Sequence, residues 1–237
     1  AASADANYSN MNVADVSVVN RDDDTAGATV SPTSGLTTTE AGGTATFTIR
    51  LNSRPTANVT VGLSSSNTLE GTVSPASVTF TNANWSTPQI VTVTGVNDNI
   101  DDDDVAFTII TSNATSTDAK YSGLVVADVS VTNMDDDVAG VTVTPTSGLT
   151  TTEAGGTATF TVRLNTRPTA NVVINLTSNN TNEGTVLPVS LTFTSANWST
   201  PQTVTVKGVD DDVDDGNVAY TIITSNTIST DTKYSGM

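Results

Sequence analysis

The chain has 237 residues, of which 25 are Asp or Glu and 8 are Lys or Arg, so its formal net charge is −17. Such a surface repels the phosphates of nucleic acids and anionic lipid heads, and we expect neither nucleic-acid binding nor membrane insertion. The chain contains no Cys and no His, which excludes disulfides, thiol nucleophiles, imidazole bases and the usual zinc ligands. We therefore predict that the protein is not an enzyme.

An internal repeat organises the chain. The sequence PTSGLTTTEAGGTATFT begins at Pro32 and again, 113 residues later, at Pro145. The same spacing joins Tyr8, Tyr121 and Tyr234. Since this tyrosine series has three members, the chain begins inside the tail of an earlier repeat.

The repeat phase predicts three segments. Residues 1–24 are the C-terminal strand and acidic tail of a preceding repeat. Residues 25–137 form a complete unit, the first repeat. Residues 138–237 form the second repeat, which lacks its last strand, so we expect the chain to be an internal or mature fragment of a longer protein.

Within the first repeat, apolar residues recur with a period of two, which is typical of half-buried strands rich in β-branched residues. In chain order the predicted strands are ATV, TATFTIRL, NVTVGL, SVTFT, QIVTVTGV, VAFTIIT and ADVSV. About seven short strands separated by Gly, Pro, Asn and Asp turns predict an all-β fold: two tandem, Ig-like antiparallel β-sandwiches.

Most acidic residues lie in loops between these strands. Two unit charges ~4 Å apart repel by about 1 kcal/mol in water and about 4 kcal/mol near a protein surface, so runs of Asp are costly without a cation. A solvated charge run is the alternative for any single cluster, but the clusters recur at the same phase of each repeat. Calcium prefers several carboxylate oxygens, and the absence of His and Cys argues against transition metals. Because no loop matches an EF-hand, we expect a calcium site assembled from separate loops.

The segments TTEAGGTATFTVRL and LTFTSANWSTPQTVTVKGVDDD, with the terminal DDD of the first repeat, resemble the Calx-β repeat nearly end to end. The resemblance implies a β-sandwich that holds Ca²⁺ at one end through its acidic positions. In the first repeat the implied ligands are Glu40, Glu70, Asp98, Asp101, Asp102, Asp135, Asp136 and Asp137. In the second repeat they are Glu153, Glu183, Asp210, Asp211, Asp212, Asp214 and Asp215. The tail of the preceding repeat adds Asp22, Asp23 and Asp24.

These observations favour a calcium-binding structural repeat of an extracellular or cell-surface adhesin or filament, in which calcium stiffens the junctions between repeats. The partners we expect are neighbouring repeats or copies of the chain, and residues 12–24 of one copy are candidates to complete the second repeat of another. The favoured alternative to this insertion is that the phase of the two ends reflects only where the fragment was cut. The alternative is a module that binds carbohydrate or another surface ligand, with Trp85 and Trp198 stacking on sugars. In the structural interpretation, each Trp packs at the end of its sandwich and closes it.

Overall fold

The computed structural model describes residues 2–237, and the regular secondary structure of these residues consists of β-strands. The predicted all-β class is therefore confirmed. Among residues 2–237, no helix has the length and apolar character needed to cross a membrane.

The first repeat contains the strands β1 to β10. They are Ala28–Ser31, Leu36–Thr39, Thr44–Leu51, Val59–Ser65, Gly71–Ser74, Ser77–Phe80, Gln89–Gly95, Val105–Thr111, Thr115–Ser116 and Val129–Met134. The strands β2, β5 and β9 add to those predicted from sequence, because short Thr- and Ser-rich segments carry little apolar alternation.

The second repeat contains the strands β11 to β17. They are Val141–Thr144, Thr157–Leu164, Val172–Ser178, Gly184–Leu187, Ser190–Phe193, Gln202–Gly208 and Ile222–Thr224. The second repeat thus matches the first strand by strand, except for counterparts of β2, β9 and β10.

Alternation along the strands builds a core in each repeat. In β3, Phe47, Ile49 and Leu51 are buried, and they pack with the inward residues of β4, β7, β8 and β10. In β12, Phe160, Val162 and Leu164 occupy the same places in a second cluster. Full burial of each such side chain contributes about 1.5–3 kcal/mol. The predicted repeat boundaries are consistent with these two clusters but stay a prediction.

The first repeat is a sandwich of two sheets. One sheet has the order β1-β3-β7-β5, and the other has the order β2-β10-β8-β4-β6, with β9 beside β4. Strand β10 pairs antiparallel with β8 and parallel with β2. The sequence predicted antiparallel sandwiches, and the β2–β10 pair is a parallel addition to this antiparallel arrangement. The parallel pair brings the C-terminal ends of β2 and β10 to the same edge of the sandwich.

The second repeat has an open second sheet. Its first sheet, β11-β12-β16-β14, reproduces that of the first repeat, whereas its second sheet is β15-β13-β17. Residues 149–152, which repeat the sequence of β2, form no strand here. Strand β17 has three residues, whereas its counterpart β8 has seven. The physical reason is that β10, which pairs with both β2 and β8 in the first repeat, has no counterpart in residues 138–237.

Residues 2–24 are exposed and contain no strand. The strand predicted at ADVSV in this segment is therefore not formed in this structure. Its sequence is that of β10, but within residues 2–237 it has no partner strand beside it.

Candidate metal centre

Four segments of the first repeat bring carboxylates to one end of the sandwich. Glu40 directly follows β2, and Asp135 to Asp137 directly follow β10. Because β2 and β10 run parallel, with Thr39 opposite Met134, their acidic ends lie side by side, and the Glu40 N–H donates to the Met134 carbonyl at 3.1 Å. Glu70 precedes β5, and the loop between β7 and β8 supplies Asp98 to Asp104.

Glu40, Asp135 and Asp137 form what we call the inner cluster, in which one carboxylate oxygen of each residue lies within 4.8 Å of the others. Glu40 is 3% exposed. The Glu40 Oε2 and Asp137 Oδ2 atoms are buried and have no hydrogen-bond partner. A buried, unpartnered carboxylate oxygen is costly, so these two atoms make the inner cluster a candidate cation site.

The protonation behaviour of the inner cluster reflects this crowding. Burial, with the charges of Asp98 and Asp135, raises the pKa of Glu40 to about 7. Burial and the neighbouring Asp135 and Asp136 also raise the pKa of Asp137. Both groups resist ionisation together, as expected of carboxylates that face one another without a counter-charge.

Glu70, Asp98 and Asp102 form a second group, the loop cluster, with oxygens again within 4.8 Å of one another. Burial and the charges of Glu70 and Asp98 raise the pKa of Asp102 to about 6. The Asp98 side chain accepts a hydrogen bond from the Ile100 N–H at 2.7 Å, which fixes the carboxylate within the loop.

The two clusters adjoin through Asp135. Its Oδ2 atom accepts hydrogen bonds from the N–H groups of Asp102 and Asp103, at 3.2 and 3.0 Å. The Asp135 N–H in turn donates to Asp104 Oδ1 at 3.1 Å. The β7–β8 loop and the end of β10 are thus joined, and the six carboxylates of both clusters belong to one composite centre.

Asn133 holds this centre in place, and the sequence analysis did not identify it. It is 1% exposed, accepts a hydrogen bond from Thr38 Oγ1 at 2.9 Å and donates to the Val96 carbonyl at 3.1 Å. Its Nδ2 atom also lies 3.4 Å from Glu70 Oε2. The available signal was an Asn at the inward position of a strand whose other inward residues are Val129 and Val131.

Asp101 and Asp136 are placed outside both clusters. Asp101 accepts hydrogen bonds from the Ala139 N–H at 2.8 Å and pairs with Lys233 at 2.6 Å. Burial disfavours ionisation of Asp101, but the bonds from Lys233 and Ala139 outweigh it and hold the pKa of Asp101 below its usual value. Asp136 is exposed. Asp101 therefore serves the junction between the repeats.

Lys233 lies at the junction between the repeats, and the sequence analysis did not identify it. Its Nζ atom lies 2.6 Å from both Asp101 Oδ1 and Asp103 Oδ1, and these hydrogen bonds raise the pKa of Lys233. Nearby, the Arg167 N–H donates to the Asn99 carbonyl at 2.6 Å. The β7–β8 loop of the first repeat is thus docked onto the second repeat.

The second repeat assembles fewer of its predicted ligands. Glu183, Asp211 and Asp215 have oxygens within 4.8 Å of one another, and burial with the charges of Asp215 and Asp211 raises the pKa of Glu183. The remaining predicted ligands of this repeat, all exposed, lie outside this group: Glu153, Asp210, Asp212 and Asp214.

The N-terminal segment brings together Asp22, Asp23 and Asp24, which are exposed. No other carboxylate joins this group among residues 2–237.

The donor set of the first repeat fits a hard cation. Carboxylate oxygens are the ligands that Ca²⁺ prefers, whereas transition metals favour nitrogen and sulfur. Among residues 2–237, the ion pairs join Lys233 to Asp101 and Asp103, so neither cluster is neutralised by Lys or Arg. The inner and loop clusters offer three carboxylates each, which is part of the ~6 to 8 oxygen ligands that each calcium ion takes.

Trp85 and Trp198 lie half-buried against the cores of their repeats. Their carbonyl groups accept hydrogen bonds from the N–H groups of Leu51 and Leu164, each at 2.9 Å. This packing accounts for both residues as closures of the sandwich.

No protein-family model and no curated protein matches the sequence. Solved structures with a similar arrangement include CBD12 from CALX1.2, with 16% identity, a TM-score of 0.37, and coverage of 84% of this chain and 80% of that chain. The calcium binding domain CBD12 of CALX1.1 has 15% identity and a TM-score of 0.38 over 83% of this chain and 74% of that chain.

The periplasmic chaperone SfaE has 9% identity and a TM-score of 0.38, with coverage of 86% of this chain and 98% of that chain. Calcium-binding domains and a chaperone therefore occur together among the similar structures. Likeness at this level carries no functional assignment, and the resemblance of the motifs to the Calx-β repeat stays a prediction.

Proposed function

We propose that this protein is a calcium-binding structural repeat protein in which Ca²⁺ stiffens the junction between consecutive β-sandwiches. The observation that carries the proposal is the pair of buried oxygens, Glu40 Oε2 and Asp137 Oδ2, which have no hydrogen-bond partner in a cluster without Lys or Arg. Glu40, Asp135 and Asp137 are the proposed ligands of one site, and Glu70, Asp98 and Asp102 are those of its neighbour.

The position of the centre connects ion binding to mechanics. Residues 135–137 lie between β10, the last strand of the first repeat, and β11, the first strand of the second. The same carboxylate region contacts the second repeat through Asp101, which pairs with Lys233. Without a cation the acidic residues repel one another and loosen the junction. A bound cation ties the β7–β8 loop to the end of β10, because a ligand of the native state stabilises that state.

An extracellular or cell-surface location follows from this proposal. Calcium sites in extracellular modules have dissociation constants of about 10⁻⁴ to 10⁻³ M, close to the free concentration outside cells. A series of such repeats would form a semi-rigid stalk or filament, as in an adhesin. The proposed role is mechanical and involves no enzymatic activity.

Carbohydrate binding is the weaker candidate. It rested on Trp85 and Trp198, and both pack against the cores. No observation on these residues favours a sugar platform over a closure of the sandwich.

Small-angle X-ray scattering with calcium and with chelator tests the proposal. We expect calcium to increase the maximum dimension and to narrow the distribution of junction angles. The variant Glu40→Gln should lose most of this response, whereas Glu153→Gln, an exposed residue in the same local sequence, should keep it. Identical scattering curves with calcium and with chelator would disprove the stiffening role.

A further inference from the structure

The open sheet of the second repeat leaves an apolar groove. The groove has a volume of about 1030 Å³ and includes Leu149, Phe160, Val206, Tyr220 and Ile222 in its lining. In the first repeat, the counterparts of these side chains are covered by β10, whose Val129 and Val131 are 0% and 2% exposed. Within residues 2–237, no strand lies in the second repeat at the position that β10 occupies in the first repeat, and the groove marks that position.

The same chain carries an unused copy of that strand. Residues 12–24 lie 113 positions before residues 125–137 and repeat their pattern, so that Val16, Val18 and Asn20 correspond to Val129, Val131 and Asn133. In residues 2–24 this strand sequence is unpaired, and Val16 and Val18 are 86% and 83% exposed. Apolar side chains that are buried in one copy of the sequence thus lie in solvent in the other.

We propose that residues 12–24 of a second copy of this chain insert as a β-strand into the groove of the second repeat, joining the copies head to tail. The inserted strand pairs antiparallel with β17 and parallel with residues 149–152, as β10 pairs with β8 and β2. Strand addition at an open sheet edge is a recurrent mode of protein association. Since each copy then offers one strand and one groove, the association continues into a filament.

The register of the insertion is set by the repeat. Val129 lies opposite Ile109 and Val131 opposite Phe107 in the β10–β8 pair. The corresponding pairs in the proposed complex are Val16 with Ile222 and Val18 with Tyr220. Asn20 then reaches Thr151, as Asn133 reaches Thr38 in the first repeat.

Charge complementarity at the new junction supports a second copy as the occupant. In the junction inside the chain, Lys233 pairs with Asp101. Lys120 is the counterpart of Lys233 in the first repeat, and Asp214 is the counterpart of Asp101 in the second repeat. Both Lys120 and Asp214 are exposed. Insertion of residues 12–24 places the first repeat of one copy directly after the second repeat of the other, where Lys120 faces Asp214. The proposal does not rest on calcium, because the groove and the valines that enter it are apolar.

Sedimentation velocity of the 237-residue chain over a range of concentrations, in chelator, tests the proposal. We expect the average sedimentation coefficient to rise with concentration. Val18→Asp should raise the dissociation constant about a hundredfold or more, because it buries an unpaired charge in the complex. Ser17→Asp is the matched control and should assemble like the unmodified chain, since its counterpart Ser130 is exposed. Neither variant threatens folding, because both positions are exposed in residues 2–24.

A cysteine experiment tests the register and the identity of the occupant. The chain has no Cys, so a chain with Val16→Cys mixed with a chain with Ile222→Cys should form a disulfide-linked pair under mild oxidation. The mixture of Ser17→Cys with Ile222→Cys should form far less, because alternate residues of a strand face opposite sides.

Three results would overturn the proposal. These are a monomer at every concentration, assembly of Val18→Asp at the level of the parent, and a disulfide formed within a single chain that carries both Val16→Cys and Ile222→Cys.

Discussion

Glu40 and Glu153 occur in the same eight-residue sequence, LTTTEAGG, but their surroundings in the structure differ. Glu40 is 3% exposed and joins two aspartates in the inner cluster, whereas Glu153 is exposed and joins none. The difference is the strand β10, which pairs with β2 and brings Asp135 and Asp137 beside Glu40. The local sequence LTTTEAGG is therefore not enough to form the cluster. The cluster also needs a strand almost 100 residues away in the chain, as the hydrogen bond between Thr38 and Asn133 shows.

Val131→Asp should have the largest effect. It should displace β10 from the first repeat and leave that sheet open, like the second sheet of the second repeat. A buried charge without a partner costs about 3–5 kcal/mol, and Val131 is 2% exposed. Urea unfolding checks this, with Trp198→Phe in the background so that Trp85 fluorescence reports on the first repeat. The same substitution at Val18, which is 83% exposed, should leave the free energy of unfolding unchanged. Equal midpoints for the two variants would contradict the assigned role of β10.

The pH dependence of stability should also differ between the repeats. The pKa of Glu40 is raised to about 7 in the folded protein from 4.5, so the folded state binds a proton more tightly than the unfolded state. In chelator, the free energy of unfolding of the first repeat should therefore rise as the pH falls from about 7 to about 4.5, by on the order of 2 kcal/mol. Asp102, whose pKa is raised to about 6, should act in the same direction.

Two substitutions isolate the contribution of Glu40 to this pH profile. Glu40→Gln removes one titrating group and should reduce the slope of the profile, leaving the part that comes from Asp102 and Asp137, as measured by urea unfolding at a series of pH values. Glu153→Gln should leave it unchanged. With calcium bound the slope should reverse, because protons then compete with the ion for the carboxylates. A first repeat that loses stability on acidification from pH 7 to 5 in chelator would contradict the account.

The smallest effect is expected at Lys233, whose side chain is 29% exposed in its pairs with Asp101 and Asp103. Exposed pairs contribute about 0–1 kcal/mol, so Lys233→Met should change the free energy of unfolding by less than about 1 kcal/mol. Its effect should instead lie in the junction, as a wider distribution of distances between spin labels placed on the two repeats. Lys120→Met is the control, because Lys120 forms no ion pair among residues 2–237. An unchanged distribution for Lys233→Met would remove this residue from the junction.

Much of the fold follows from the sequence because apolar alternation reports directly on burial. TATFTIRL predicted β3, and its Phe47, Ile49 and Leu51 are buried. The strand β2 was missed because its residues LTTT carry a single apolar side chain. Its parallel pairing with β10 was missed as well, because strand partners distant in the chain leave no periodic signal.

The candidate site was predictable in part for a similar reason. The resemblance to the Calx-β repeat implied Glu40, Asp135 and Asp137, and the recurrence of acidic residues at the same phase of each repeat supported a composite site. Neither observation separated Asp101, which pairs with Lys233, from the loop cluster. The Asp101–Lys233 pair forms between two repeats, so it depends on how the repeats pack against each other. The sequence pattern within a single repeat carries no information about that packing. The spacing from Lys120 to Lys233 was the available sign that the lysine belongs to the repeat.

Calorimetric titration of calcium tests the central claim most directly. The change of Asp135, Asp136 and Asp137 to Asn is compared with the same change of Asp22, Asp23 and Asp24, both in a Val18→Asp background, which we expect to prevent head-to-tail assembly. We predict that the parent binds calcium with measurable heat, that the Asp22–Asp24 variant retains this binding, and that the Asp135–Asp137 variant loses its strongest site. The absence of calcium binding in the parent, or equal binding by the two variants, would contradict the account.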